Sequence, residues 1–140
     1  MDHFRALERM YASGDINRFF RPSIRIESGS AEVRMTVRPD FHHAAHAVHG
    51  AAYFKMLDDA AFFAVQSLVT DVFVVTASFS LHLLAPVVNG ELVAAGSVVH
   101  QSKRLFIADA TLAVGDTIVA RGTGTFMRST TRLDDKVGYE

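Results

Sequence analysis

Asp58 and Asp59 stand side by side in a stretch otherwise rich in Ala, Leu, Met and Phe, the first of them nine residues after the histidine of His49-Gly50-Ala51. An ionised carboxylate buried without a partner is costly. At least one of the two therefore has a task, while the other is free to face water or a partner chain. From Gly50 to about Leu68 no further Gly or Pro intervenes, which predicts one long helix opening at Gly50. The first N–H groups of a helix lack internal partners and carry positive potential. A carbonyl oxygen placed there gains negative charge beside fixed donors. A carboxylate at Asp58, roughly two turns along, can act as general base toward water or attack the carbonyl directly.

Four histidines precede this helix: His42, His43, His46 and His49. Spacings of three and four can gather imidazoles on a helix, and His with carboxylate is a workable ligand set. However, the segment follows Pro39 and ends in Gly50, so a regular helix is not expected, and no second ligand cluster is evident. No metal site is predicted. His43 and His49 are expected to line a loop beside the site, donating to a substrate carbonyl or holding the loop. A purely structural hydrogen-bonding role suits them equally.

Composition narrows the classes. The chain has 140 residues, 49% hydrophobic and 21% charged, with a formal net charge of −1 and no cysteine. This fits a single globular domain, residues 1–140. The charge offers no basic stripe for nucleic acid. The lack of cysteine removes disulfides, thiolate metal sites and a cysteine nucleophile. Met1-Asp2-His3-Phe4-Arg5 is charged and does not resemble a secretory signal. No run approaches the roughly 18 apolar residues of a membrane span, so a soluble, cytoplasmic protein is expected.

The elements that must position these residues follow from periodicity. Phe4, Leu7, Met10 and Tyr11 predict a short N-terminal helix over about 3–12. Strands follow at Ile24–Glu27 and Ala31–Arg38, with Ser28-Gly29-Ser30 as the turn. Phe73 to Leu84 alternates, with Ala77, Phe79, Leu81 and Leu83 on one face and Thr76, Ser78, Ser80 and His82 on the other. Asn89-Gly90 is a strong hairpin signal leading into a strand from Glu91 to about His100. Strands at Leu105–Val114 and Thr117–Met127 complete the set, and the charged tail, about 129–140, is expected to fray. Helix, two strands, long helix and four strands make an α+β fold, an antiparallel sheet of about six strands wrapped around one central helix.

This order and these residues resemble the hot-dog fold, and within it the phenylacetate-degradation type of acyl-CoA thioesterase. His49-Gly50-Ala51 with Met56 and Asp58 is similar to that family's His-Gly-Gly motif followed by Leu, one residue and Asp. Val75-Thr76-Ala77-Ser78-Phe79 through Leu84-Ala85-Pro86, Val99-His100-Gln101-Ser102-Lys103 and Ala120-Arg121-Gly122-Thr123-Gly124-Thr125-Phe126 resemble its later segments. The resemblance implies hydrolysis of a coenzyme A thioester at sites shared between subunits of a homodimer or homotetramer. It implies no metal or separate cofactor, since the coenzyme A moiety enters with the substrate. Asp58 would be base or nucleophile, with Asp59, about 100° around the helix, as the competing carboxylate. Gly50 would polarise the carbonyl, and Thr76 would orient water or Asp58. Lys103 and Arg104 at a turn, with Arg121 or Arg128 as lesser candidates, would meet the phosphates. Three positions depart from the family pattern: Ala51 replaces its second Gly, His43 stands where Asn is frequent, and Ser102 replaces a turn Gly. The first two fall where the acyl group would bind. A non-catalytic acyl-CoA binding module and a hot-dog hydratase or dehydratase are the alternatives.

Overall fold

Asp2 opens the N-terminal helix by accepting hydrogen bonds from the backbone N–H groups of Phe4 and Arg5 in the computed structural model, which describes residues 1–140. This helix, α1 (His3–Ser13), buries Ala6, Leu7, Met10 and Tyr11. A five-residue helix, α2 (Ile16–Phe20), follows it and ends where Arg21 turns left-handed. No periodicity announces α2, because a helix this short has no complete apolar face. No helix is long and apolar enough to cross a membrane.

Six strands form one antiparallel sheet: β1 (Ser23–Glu27), β2 (Ser30–Thr36), β3 (Val72–Leu83), β4 (Glu91–Gln101), β5 (Phe106–Val114) and β6 (Thr117–Arg132), ordered β1-β2-β4-β5-β6-β3. The long helix, α3 (Gly50–Gln66), lies across this sheet and buries Met56, Leu57, Ala60, Ala61 and Val65 against it. Its backbone comes so close to β4 that a Cβ on Gly96 would sit 2.3 Å from the Ala60 carbonyl oxygen. The fold is the hot-dog arrangement expected from the sequence.

Two expectations are corrected. Asn89-Gly90 is not a hairpin between neighbouring strands, because β3 lies at one edge of the sheet beside β6 while β4 lies between β2 and β5. Residues 84–90 instead carry the chain between them, held where Leu84 and Ala85 donate to the Val119 carbonyl and Val48 to that of Val87. Gly90, at φ 104°, makes the turn into β4 while its carbonyl accepts from Val37. The C-terminal tail does not fray. β6 continues to Arg132, and Leu133, Val137 and Tyr139 pack on the core. The Tyr139 hydroxyl and the His3 ring meet at 2.8 Å, so each chain end pins the other.

Candidate active site

Asp58 projects from α3 toward β3, where the Thr76 hydroxyl donates to its Oδ1 at 2.8 Å. Strict alternation would place Thr76 on the face opposite Phe79. The structure places both toward α3, because Ala77 is an extra residue between Thr76, opposite Phe126, and Ser78, opposite Thr125. The bulge shifts the strand's parity by one. Val74 and Thr76 then face the helix before it and Phe79 after it, with Phe79 packing on Phe54 of α3 at 5.5 Å between ring centres. Burial pushes the Asp58 carboxyl from 3.8 up to about 6. The Thr76 hydrogen bond and the Lys55 charge oppose that rise, while neighbouring Asp59 adds to it.

Asp59 has a different environment. Its Oδ2 accepts from the Tyr11 hydroxyl at 2.6 Å and from Lys55 Nζ at 2.6 Å. Burial raises its carboxyl despite Lys55 and Tyr11, and burial with the adjacent Asp59 raises the Tyr11 hydroxyl. The Lys55 ammonium also lies over the rings of Tyr11 and Phe20, at 5.4 and 5.3 Å. This cluster ties α1 to α3 and pairs the Asp59 carboxylate with a cation, which the Asp58 carboxylate lacks. The motif does not single out Lys55 or Tyr11. The i,i+4 spacing of Lys55 and Asp59 was the available signal for the first, whereas Tyr11 lies 48 residues away from its partner.

At the other end of α3, His49 is the N-cap. Its Nδ1 accepts from the Ala51 N–H at 2.8 Å and its carbonyl from Ala52 at 3.0 Å. The Gly50 N–H is left with no partner in the chain. Nδ1 of His43 likewise accepts from Ala45, and the His43 and His49 rings stand edge to face at 6.5 Å. With Nδ1 accepting, each ring carries its proton on Nε2. His42 reaches the Val88 carbonyl at 2.7 Å. No three His or carboxylate side chains converge as a metal site would require.

The structure separates two residues that the sequence reading set around one carbonyl. Asp58 and Thr76 border a cavity of about 410 Å³. Gly50 and His43 border another, of about 380 Å³, with Tyr53, Leu83 and Pro86. Eight residues of helix span about 12 Å, too far for one chain to polarise and attack the same carbonyl. Ala51 is exposed at the helix start, and Lys103 and Arg104 are exposed on the β4–β5 turn. The registers Thr76 with Phe126 and Phe126 with Phe106 put that turn at the Thr76 end of the sheet, two strand spacings or about 10 Å away.

A family model described as "Thioesterase superfamily" matches residues 45–121, more than half the chain. Among solved structures, a conserved protein from Pseudomonas aeruginosa is 25% identical, with a TM-score of 0.82 over 86% of this chain and 98% of its own. The PaaI protein from the phenylacetic acid degradation operon of E. coli is 23% identical, with a TM-score of 0.83 over 93% and 97%. A phenylacetic acid degradation-related protein from Ralstonia eutropha is 22% identical, with a TM-score of 0.79 over 90% and 99%. No curated protein matches the chain. The α3–β3 frame around Asp58 lies within the matched residues, and the chain belongs to the thioesterase superfamily, with the hot-dog fold of the PaaI type.

Proposed function

We propose that the protein hydrolyses an acyl thioester of coenzyme A, with Asp58 of one copy and Gly50 of a second forming each site. The observation that carries this reading is the Thr76–Asp58 pair: a half-buried carboxylate, oriented by a hydroxyl, on the wall of a cavity and with no hydrogen bond within the chain to its other oxygen. As general base, Asp58 takes a proton from water while the water oxygen bonds to the thioester carbon. The carbonyl oxygen becomes an oxyanion facing the open Gly50 N–H at the positive end of α3 of the second copy. Collapse breaks the C–S bond, and the proton on Asp58 passes to the thiolate. In the nucleophilic route Asp58 bonds to the thioester carbon as the C–S bond breaks, and water then opens the resulting acyl–Asp58 anhydride, one of its protons passing to the thiolate. Neither route requires a cofactor or metal, because Asp58 and water supply every proton and electron pair.

The edge strand supports a second copy as partner. β3 has no neighbour on its outer side, and an open edge of twelve residues invites pairing. Along β3, Thr76 marks the position of Asp58. Leu83 marks that of Gly50, since its Cδ1 lies 3.3 Å from where a Gly50 Cβ would stand. An antiparallel β3–β3 pair centred between Phe79 and Ser80 sets Thr76 of one copy opposite Leu83 of the other. Asp58 then meets the helix start of the second copy. In this reading His43 and His49 offer Nε2–H groups near the carbonyl, Ala51 adjoins the acyl group, and Lys103 and Arg104 meet the phosphates.

Thiol release from a panel of short, long and aryl acyl-CoA esters tests the assignment. Asp58→Asn is expected to lower kcat by about 10³ or more, as loss of a general base with its positioned water does, with an unchanged circular dichroism spectrum. Full activity in Asp58→Asn, with Asp59→Asn inactive, would identify Asp59 as the reacting carboxylate.

A further inference from the structure

The 410 Å³ cavity bordered by Asp58 carries two groups of apolar side chains alongside the polar Ser13, Asn17, Lys55, Asp59 and Thr76. Phe62, Phe63 and Phe73 come from α3 and β3, whereas Met10, Ile16 and Val137 come from the two ends of the chain. The latter three lie outside the residues matched by the family model. The chain ends are fixed there independently: α1 by the Tyr11–Asp59–Lys55 cluster, and the C-terminal segment by the contact of Tyr139 with His3. We propose that this cavity receives the acyl group of the thioester and that Met10, Ile16 and Val137 set how far an apolar acyl group can reach. The proposal rests on the reading of Asp58 as the reacting carboxylate, which puts the thioester carbon beside the wall of this cavity.

Size and charge define the ligand class. An apolar cavity of about 150 Å³ already accepts benzene, so this one has room for an aryl or medium-chain group. The cation on its wall, Lys55, is bound by Asp59 at 2.6 Å, and Asp58 adds further negative charge to the wall. A second carboxylate at the far end of the acyl group would find no free counter-charge. The cavity therefore favours uncharged acyl groups, whose apolar parts meet Phe62, Phe63, Phe73, Met10, Ile16 and Val137, and excludes dicarboxylic ones.

The test uses non-hydrolysable S-alkyl thioethers of coenzyme A, with two-carbon and ten-carbon chains, titrated calorimetrically into the full chain. Each methylene buried adds a factor of about four in affinity, so the ten-carbon probe is expected to bind at least about tenfold more tightly. Ile16 is 59% exposed and can be enlarged without disturbing the core. Ile16→Trp should cut the ten-to-two-carbon ratio at least about fivefold, and Ile16→Ala should preserve or raise it. A wild-type ratio near one, or a ratio that Ile16→Trp leaves unchanged, overturns the proposal. Preserved chain-length selection in a protein that releases no thiol from any ester keeps the acyl cavity and sinks the hydrolytic reading. Asp58-dependent thiol release without chain-length selection does the reverse.

Discussion

Asp58 and Asp59 differ in what surrounds them rather than in kind, and pH separates their effects. Asp59 exchanges water for Tyr11 and Lys55, whereas Asp58 receives only the Thr76 hydroxyl. The Asp58 carboxyl therefore rises to about 6 through burial. Between pH of about 4 and about 6 the folded chain retains a proton that the unfolded chain has lost, so the contribution of Asp58 to stability falls as pH rises through that window. The full cost applies above it. Asp58→Asn removes that cost and keeps an oxygen for Thr76. Urea unfolding should find this variant more stable by ~1–2 kcal/mol at pH 8, a figure reduced for partial solvent screening, with no difference near pH 4. A less stable Asp58→Asn at pH 8 would show that burial does not govern this carboxyl. Wild-type kcat/KM, if Asp58 is the base, climbs about tenfold per pH unit below about 6 and levels above it.

At the scale of elements, the position of α3 on the sheet depends on a missing side chain. Gly96 lets β4 pass beneath Ala60, and a methyl there would lie 2.3 Å from the Ala60 carbonyl oxygen and 2.7 Å from the Ala61 nitrogen. Backbone cannot swing aside like a flexible side chain, so Gly96→Ala must push the helix off the sheet. A loss of about 3 kcal/mol or more is expected, lowering Tm by roughly 6–12 °C for a chain of this length; scanning calorimetry checks it. An unchanged Tm would mean that helix and sheet are not so closely seated. Hydropathy pattern and turn residues were enough to identify α1, α3 and all six strands, because each carries an apolar run or alternation bounded by turn residues. They carried no information on sheet order, which depends on long-range pairing, and Asn89-Gly90 therefore pointed to a hairpin that the β3 edge position rules out. The bulge at Ala77 was hidden too, since one alanine looks the same in and out of register. Of the site, the spacing from His49 singled out Asp58 and family likeness singled out Thr76. Tyr11 could be joined to Asp59 only by folding.

For the whole molecule, the decisive distance is the length of α3 between Gly50 and Asp58, about 12 Å. In the proposed reading Gly50 and Asp58 therefore act across copies, and complementation can detect this. Gly50→Pro removes the open N–H with little other change, because proline is favoured at the first helical position. His49, at φ −66° and ψ 145°, already has the conformation a residue before proline adopts. The only contact a new Cβ meets is the flexible tip of Leu83 at 3.3 Å. Alone, Gly50→Pro should lose about 10²–10³ in kcat, and Asp58→Asn should be inactive for want of a base. In a hybrid of the two, one site combines both defects and the other combines Gly50 of one chain with Asp58 of its partner. Equal amounts, unfolded and refolded together, should thus recover roughly a quarter of wild-type activity, since half the dimers are hybrids with one intact site of two. If both residues served one carbonyl within a single chain, every site in the mixture would carry a defect and the activity would remain at the average of the separate variants.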